Sequence, residues 1–331
     1  MASATFDVLA IGNAIVDVLA RVEDSFLTDR QLAKGSMRLI DEAEAERLYG
    51  AFGPAVEISG GSAANTVAGV ASLGGTAAFL GKVRADQLGA VFAHDIRAAG
   101  VRYTMEGTPD GPATGRCLIA VTPDGERTMN TFLGASALIA PADIAEAEVA
   151  AAATLYLEGY LFDRPAAKQT FEKAAAVARA AGRRVALTLS DSFCVARHRA
   201  DFLALIGASI DVLFANEAEA RALVGSDDLD RVVAAARQLC PLVALTRSAA
   251  GSVIITADAT LAVPAEPVDT VVDVTGAGDL YAAGFLFGLS RGMALADCGR
   301  LGSFAASEII THFGARPLKP LRQQAAARGL V

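Results

Sequence analysis

The chain is poor in the residues that hold metals. Its three histidines are dispersed, and its four cysteines, Cys117, Cys194, Cys240 and Cys298, are scattered with no CxxC pair. Metal ligation by Cys and His is therefore not expected, and the cysteines read as buried free thiols in a reducing compartment. An excess of positive charge is also missing. Asp and Glu outnumber Lys and Arg by 37 to 29, for a net charge of −8, so a basic face for nucleic-acid phosphates is not expected. Long apolar runs are absent despite a mean hydropathy of +0.39. Gly, Asp, Glu or Arg interrupts each run well short of the roughly 20 residues a membrane helix needs. The opening MASATFDVLAIGNAIVD lacks the basic head, apolar stretch and cleavage site of a secretory signal, which predicts a cytoplasmic protein. Four catalytic signatures are missing as well: GxxxxGK[ST], GxGxxG, HExxH and GxSxG. A Walker-type NTPase or a Rossmann dehydrogenase would lack its phosphate-binding turn.

What is present is material for a large core. Of 331 residues, 53% are hydrophobic and 20% charged, which excludes wholesale disorder. Short β-branched or apolar runs such as FDVLAIG (6–12), TLYLEGY, RRVALTLS, DVLFAN and LVALTRS alternate with helical patterns such as SAANTVAGVASLG and AAKQTFEKAAAVARAAG. Repeated strand–helix alternation predicts an α/β fold, three layers α/β/α around a mostly parallel sheet, with ligands beyond the carboxyl ends of the strands. Residues 101–131 read differently. GTPDG and TPDG turns bracket the alternating run GRCLIAV, which is followed by ERTMNTFLG; this is hairpin chemistry. With segment 13–40 it is expected to form a small β-sheet lid on a single catalytic domain spanning 1–331.

Three turns carry chemistry. Asp273-Val-Thr-Gly-Ala-Gly-Asp279 runs directly into a helical pattern. Gly276 and Gly278 flank Ala277 at the helix start, so successive N–H groups converge on one spot and the helix dipole favours an anion there. Asp279 falls in the first turn, suited to accept a proton from an attacking hydroxyl. The bland alternative is an ordinary helix cap. Ser59-Gly60-Gly61-Ser62-Ala63-Ala64-Asn65 is a second strand-to-helix turn. Its glycines permit close ligand approach, and Asn65 offers a donor and an acceptor one turn in; a tight turn explains it equally well. In the third, Asn216-Glu217-Ala218-Glu219, residues 216 and 219 share a helix face. They read either as a helix cap or as groups handling phosphate and hydrated Mg²⁺.

In combination, GGSAANTVAG, then NEAE, then DVTGAGDLYAAGFL resemble the signatures of the ribokinase-like (PfkB) carbohydrate and nucleoside kinases. The likeness covers almost the whole chain. Within that family the adenosine kinases are the most similar branch, on GNAIVD, KGSMRLID, TGRC, ERTMNTFLGAS, YLEGYLF, LSDSFC and the tail AASEIITHFGARP.

The resemblance implies an ATP- and Mg²⁺-dependent kinase acting on the 5′-hydroxyl of adenosine, another nucleoside, or a free sugar such as ribose or fructose. A non-catalytic nucleoside-binding protein on the same fold would have lost the base or the anion hole, and both are present. Asp279 then corresponds to the catalytic base, and the amides of Gly276, Ala277 and Gly278 to the anion hole for the transferring phosphoryl group. Asn13 and Asp17, placed at the first strand's exit, match positions that grip the sugar, as do Gly60, Gly61 and Asn65. Arg127 matches a phosphate contact. Asn216, Thr246, Ser248 and Gly251 fall on the ATP side, with Glu219 toward Mg²⁺ through water. Ser248 stands where the family has glycine, so a positive φ there would strain it. Asp273 matches a position tied to a monovalent-cation (K⁺) site in potassium-activated members, or stands as a structural turn acid. Met37, Leu39, Phe132, Leu133 and Phe162 are candidates for a purine sandwich or for plain core. No nucleic-acid or membrane partner is implied, and family members occur as monomers or homodimers.

Overall fold

The computed structural model describes residues 4–331, so the first three residues of the span read as one domain lie outside the described part. Its strands are β1 (Phe6–Ile11), β2 (Ile15–Arg21), β3 (Met37–Leu39), β4 (Ala55–Gly60), β5 (Ala77–Leu80), β6 (Val101–Arg102), β7 (Gly115–Val121), β8 (Arg127–Phe132), β9 (Ala152–Glu158), β10 (Arg184–Thr188), β11 (Val212–Asn216), β12 (Leu242–Thr246), β13 (Ser252–Thr256) and β14 (Thr260–Val263). Period-2 alternation sends Val8 and Ala10 to one face of the sheet, and Leu9 and Ile11 to the other. Both faces are apolar, so both must be covered.

Nine strands form one sheet in the order β14-β13-β12-β11-β10-β9-β1-β5-β6. All neighbours from β12 to β6 pair parallel, and β13 and β14 close the edge as an antiparallel meander. The helices Ser62–Ser72, Ala277–Ser290 and Leu295–Ile309 cover one face. Helices Pro165–Ala180, Ser192–Ser209, Glu217–Val224 and Leu229–Leu239 cover the other. The expected three layers are thus formed. Strand order reverses at β1, which has β5 on one side and β9 on the other. That reversal opens a crevice at the carboxyl ends of β1 and β9.

A second sheet has the order β3-β8-β7-β2-β4. Its strands β2, β3, β7 and β8 come from segments 13–40 and 101–131, with β8 running one residue further, while Val101–Arg102 joins the large sheet as β6; it adds β4, the strand leading into the Ser59–Asn65 turn, which was not expected in the lid. Asp17 belongs here. It lies in the middle of β2, in register with Ile58 and Cys117, and not at the exit of β1 with Asn13. The bend at residues 12–14 splits one continuous apolar run into two strands, too short a break for periodicity to register.

The helix carrying Asp279 rests on its neighbour through glycine. A Cβ added at Gly284 would lie 2.5 Å from the carbonyl oxygen of Leu301 and 2.8 Å from the Cα of Gly302. Both are backbone atoms that cannot swing away. Gly284→Ala is therefore expected to cost about 1–3 kcal/mol, read as a lower urea midpoint at unchanged slope.

Candidate active site

The crevice holds a cavity of about 490 Å³. It is lined from both sheets and from the starts of four helices, and its walls differ in chemistry from end to end.

At its floor stands Asp279. Ser62 Oγ donates to its Oδ1 at 2.6 Å and Asn65 Nδ2 to its Oδ2 at 2.9 Å. Burial pushes the carboxyl up, and these two donors with the Arg316 guanidinium pull it back. Each carboxylate oxygen keeps a lone pair for a further donor. Beside it Gly276 caps the helix at φ +79°, in the left-handed region, and a Cβ there would lie 2.7 Å from that of Ala315. Ala277 N–H is engaged with Val274 O at 3.2 Å. Gly276 and Gly278 line the cavity, and an added Cβ at Gly278 would meet nothing within 4 Å.

Next along the wall is Asp17. A Cβ on Gly60 would lie 2.5 Å from its Oδ2, so only glycine leaves the carboxylate room; Gly60 itself does not line the cavity. Burial raises Asp17 to about 6, against the pull of Arg127 and Arg316. Gly61, at φ +95°, brings the chain so close that a Cβ would lie 2.1 Å from Asn13 O. Asn13 is itself fixed. It donates through Nδ2 to Glu158 Oε1 at 2.6 Å and accepts from Ser136 Oγ at 2.9 Å. Glu158 is 1% exposed and also accepts from Ala63 N at 2.8 Å. Burial raises it to about 7.

On the far side, Asn216 and Glu219 form a reciprocal helix cap: Asn216 Oδ1 accepts from Glu219 N, and Glu219 accepts from Asn216 N and Nδ2. Both line the cavity. Glu219 is raised to about 7 by burial. With each of its oxygens already taking an Asn216 donor, it suits a hydrated cation arriving on phosphates, not direct ligation. Thr246 lines the cavity; Ser248 and Gly251 do not. Ser248 has φ +50°, the left-handed backbone that the sequence made a concern. Arg247 pairs with Glu217. Arg127 does not line the cavity; it is bonded to Thr275, which does, and paired with Asp273. Asp273 also accepts from Thr275 N and Gly314 N, both at 3.0 Å.

The second sheet supplies an apolar wall of Ile15, Met37, Leu39, Ile119 and Met129, joined by Leu133 just past β8. Phe162 is not part of it. Its ring is 2% exposed and stacks on Phe202 with centroids 4.0 Å apart. Phe132 likewise packs on the core. Three polar groups escaped the sequence reading: Ser62, Glu158 and Arg316. Ser62 was readable as the residue one helical turn before the Thr66 level and three before Asn65, hence on its face.

The pattern of the pfkB family carbohydrate kinases matches residues 41–322. The solved structure of an adenosine kinase from Sinorhizobium meliloti is 50% identical, with a TM-score of 0.92 over 99% of this chain and 100% of that one. A probable sugar kinase from Rhizobium etli is 48% identical, with a TM-score of 0.94 over the same shares. The adenosine kinase of Saccharomyces cerevisiae is 25% identical over 332 residues, covering 94% of this chain and 96% of that protein.

Relieving the left-handed serine is expected to stabilise the fold. Ser248→Gly removes a Cβ clash worth about 1 kcal/mol, which should raise the thermal midpoint in a calorimetric scan.

Proposed function

The chain belongs to the pfkB family of carbohydrate kinases, phosphotransferases with an alcohol acceptor, and from that premise we propose that it transfers the γ-phosphoryl group of ATP to the 5′-hydroxyl of adenosine, giving AMP and ADP. The observation that carries the nucleoside reading is the apolar wall facing Asp17 and Asp279 in one cavity. A free pentose or hexose would turn hydroxyls toward Met37, Leu39, Ile119 and Met129 and lose their hydrogen bonds to water. A purine covers the same surface with its apolar faces.

In this reading Asp17 accepts hydrogen bonds from the 2′- and 3′-hydroxyls, with Asn13, Gly61 and Asn65 around the ribose. Asp279 takes the proton of the 5′-hydroxyl as its oxygen attacks phosphorus. Ser62 and Asn65 hold the carboxylate in place and offset the cost of its burial. The N–H groups of Gly276 and Gly278 face the equatorial oxygens, where charge develops; Ala277 N–H, taken by Val274 O, drops out of the expected anion hole. Asn216 and Thr246 meet the nucleotide phosphates. Magnesium, bound with ATP, supplies neutralising charge to those phosphates, and Glu219 suits its water shell. The second sheet acts as a lid whose apolar face excludes water.

A panel assay of ADP release tests this reading, using adenosine, inosine, guanosine, cytidine, ribose and fructose. Turnover of adenosine is expected, and Asp279→Asn should lower kcat by about 10²–10⁴-fold. Turnover of a free sugar with no nucleoside would discard the substrate and keep the chemistry. The pH dependence has a definite sign. Asp17, raised to about 6, must be ionised for both of its oxygens to accept from the diol, so kcat/KM should fall as pH drops through about 6. Asp17→Asn should raise KM by about 10–100-fold, the loss of a charge-assisted bond, with a smaller change in kcat.

A further inference from the structure

Arg316 lies outside the cavity and outside the roles assigned above, yet it is wired to the centre. Residues 314–316 wrap the turn that precedes Asp279. Gly314 N donates to Asp273 Oδ2 at 3.0 Å, and a Cβ on Gly276 would lie 2.7 Å from that of Ala315. From this anchored loop Arg316 Nε donates to Asn65 Oδ1 at 2.9 Å. The two ends of an amide are not equivalent. With Oδ1 held by a donor, only the NH₂ end of Asn65 is left to face Asp279, which it meets at 2.9 Å. Among the described residues Arg316 Nη2 is buried with no hydrogen-bond partner.

The charges facing Arg316 come from three elements: Asp17 on β2, Asp95 on helix Gln87–Ala98, and Asp279 on helix Ala277–Ser290. Arg127 also faces Asp17. Burial pulls Arg316 down to about 10, so it stays cationic at neutral pH.

We propose that Arg316 is the positioning residue of the base: its bond to Asn65 Oδ1 locks the amide with its NH₂ toward Asp279 and sets a positive charge behind the Asp17–Asp279 pair. This rests on reading Asp279 as the base. Arg316 touches neither substrate; it acts through Asn65 and through its field. A flipped Asn65 would present its oxygen to the carboxylate and drive it out of line.

The test is the pH profile of kcat for Arg316→Met, Asn65→Ala and the double variant, with the best acceptor of the panel and with Asp279→Asn alongside. Arg316→Met should lower kcat by about 10–100-fold, as misplacement of a reacting group does. Its acid limb should move to higher pH by about one unit, because the ionised base has lost its counter-charge. At the pH plateau, where the base is ionised in every variant, the double variant should be no more than about twofold below the poorer single variant, since both cut one relay. An unmoved acid limb, or losses that multiply, would overturn the proposal. If Arg316→Met does not fold, Arg316→Lys replaces it. The ammonium keeps the charge but places a methylene where Nε donates to Asn65 Oδ1, so kcat should fall with the acid limb in place; a wild-type kcat there overturns the proposal. Should Asp279→Asn retain full activity, the base reading falls and this proposal with it. If that variant is inactive while Arg316→Met keeps the wild-type profile, this proposal alone falls.

Discussion

Two helix starts that are 217 residues apart in the chain meet at one carboxylate, where Ser62 donates to Asp279. The rest of the cavity is arranged around that meeting. It requires β1 to sit where the sheet reverses direction, so that the Gly61 turn and the Gly276 turn arrive at the same crevice. It also requires close helix contact. A Cβ on Gly69 would lie 2.6 Å from that of Ala283, so glycine at 69 is what lets helices Ser62–Ser72 and Ala277–Ser290 approach. Packing between these helices therefore sets the geometry of the base as directly as any polar contact does.

The second constraint is electrostatic. Asp17, Glu158, Glu219 and Asp279 face one cavity, and burial pushes each of them upward. Left alone, such a group of acids would hold protons at neutral pH. Three are countered by their own donors: the amides of Asn13 and Ala63 for Glu158, Asn216 for Glu219, Ser62 and Asn65 for Asp279; Asp17 is countered by the charges of Arg127 and Arg316. Arg127 and Arg316 add charge behind the set without entering the cavity. An acidic, donor-lined pocket of this kind suits a ligand that brings hydroxyl protons and a metal-bound phosphate chain, and it disfavours a bare anion.

Much of this was legible in the sequence. The Gly60–Gly61 and Gly276–Gly278 turns announced themselves because positive φ and close backbone approach leave few residue choices. The strand–helix alternation was equally plain, since periods of 2 and 3.6 are hard to confuse over ten residues. The concern about Ser248 was likewise sound, and its φ of +50° bears it out. Other features had no local signal. Glu158 ends an apolar strand and gains its role only when Asn13 and Ala63 fold against it. Arg316 sits in a loop that no periodicity describes. Phe162, open in the sequence between purine wall and plain core, is core: a short 3₁₀ turn at Gly159–Asp163 directs its ring onto Phe202. Asp17 was read with the wrong strand because the break between β1 and β2 is shorter than a turn signal. What the sequence hid was in each case a tertiary meeting, not a propensity.

The central claim is that one cavity aligns a nucleoside between Asp17 and Asp279 with its base on the second sheet. A crystal structure with adenosine and a non-hydrolysable ATP analogue tests this most directly. The account predicts the 5′-oxygen at a hydrogen-bond distance of about 2.6–3.2 Å from the Asp279 carboxylate, the ribose diol on Asp17, and the purine against Met37, Leu39, Ile119 and Met129. A nucleoside lying the other way round, with its base at the Gly276–Asp279 turn and its 5′-oxygen out of reach of Asp279, would contradict it.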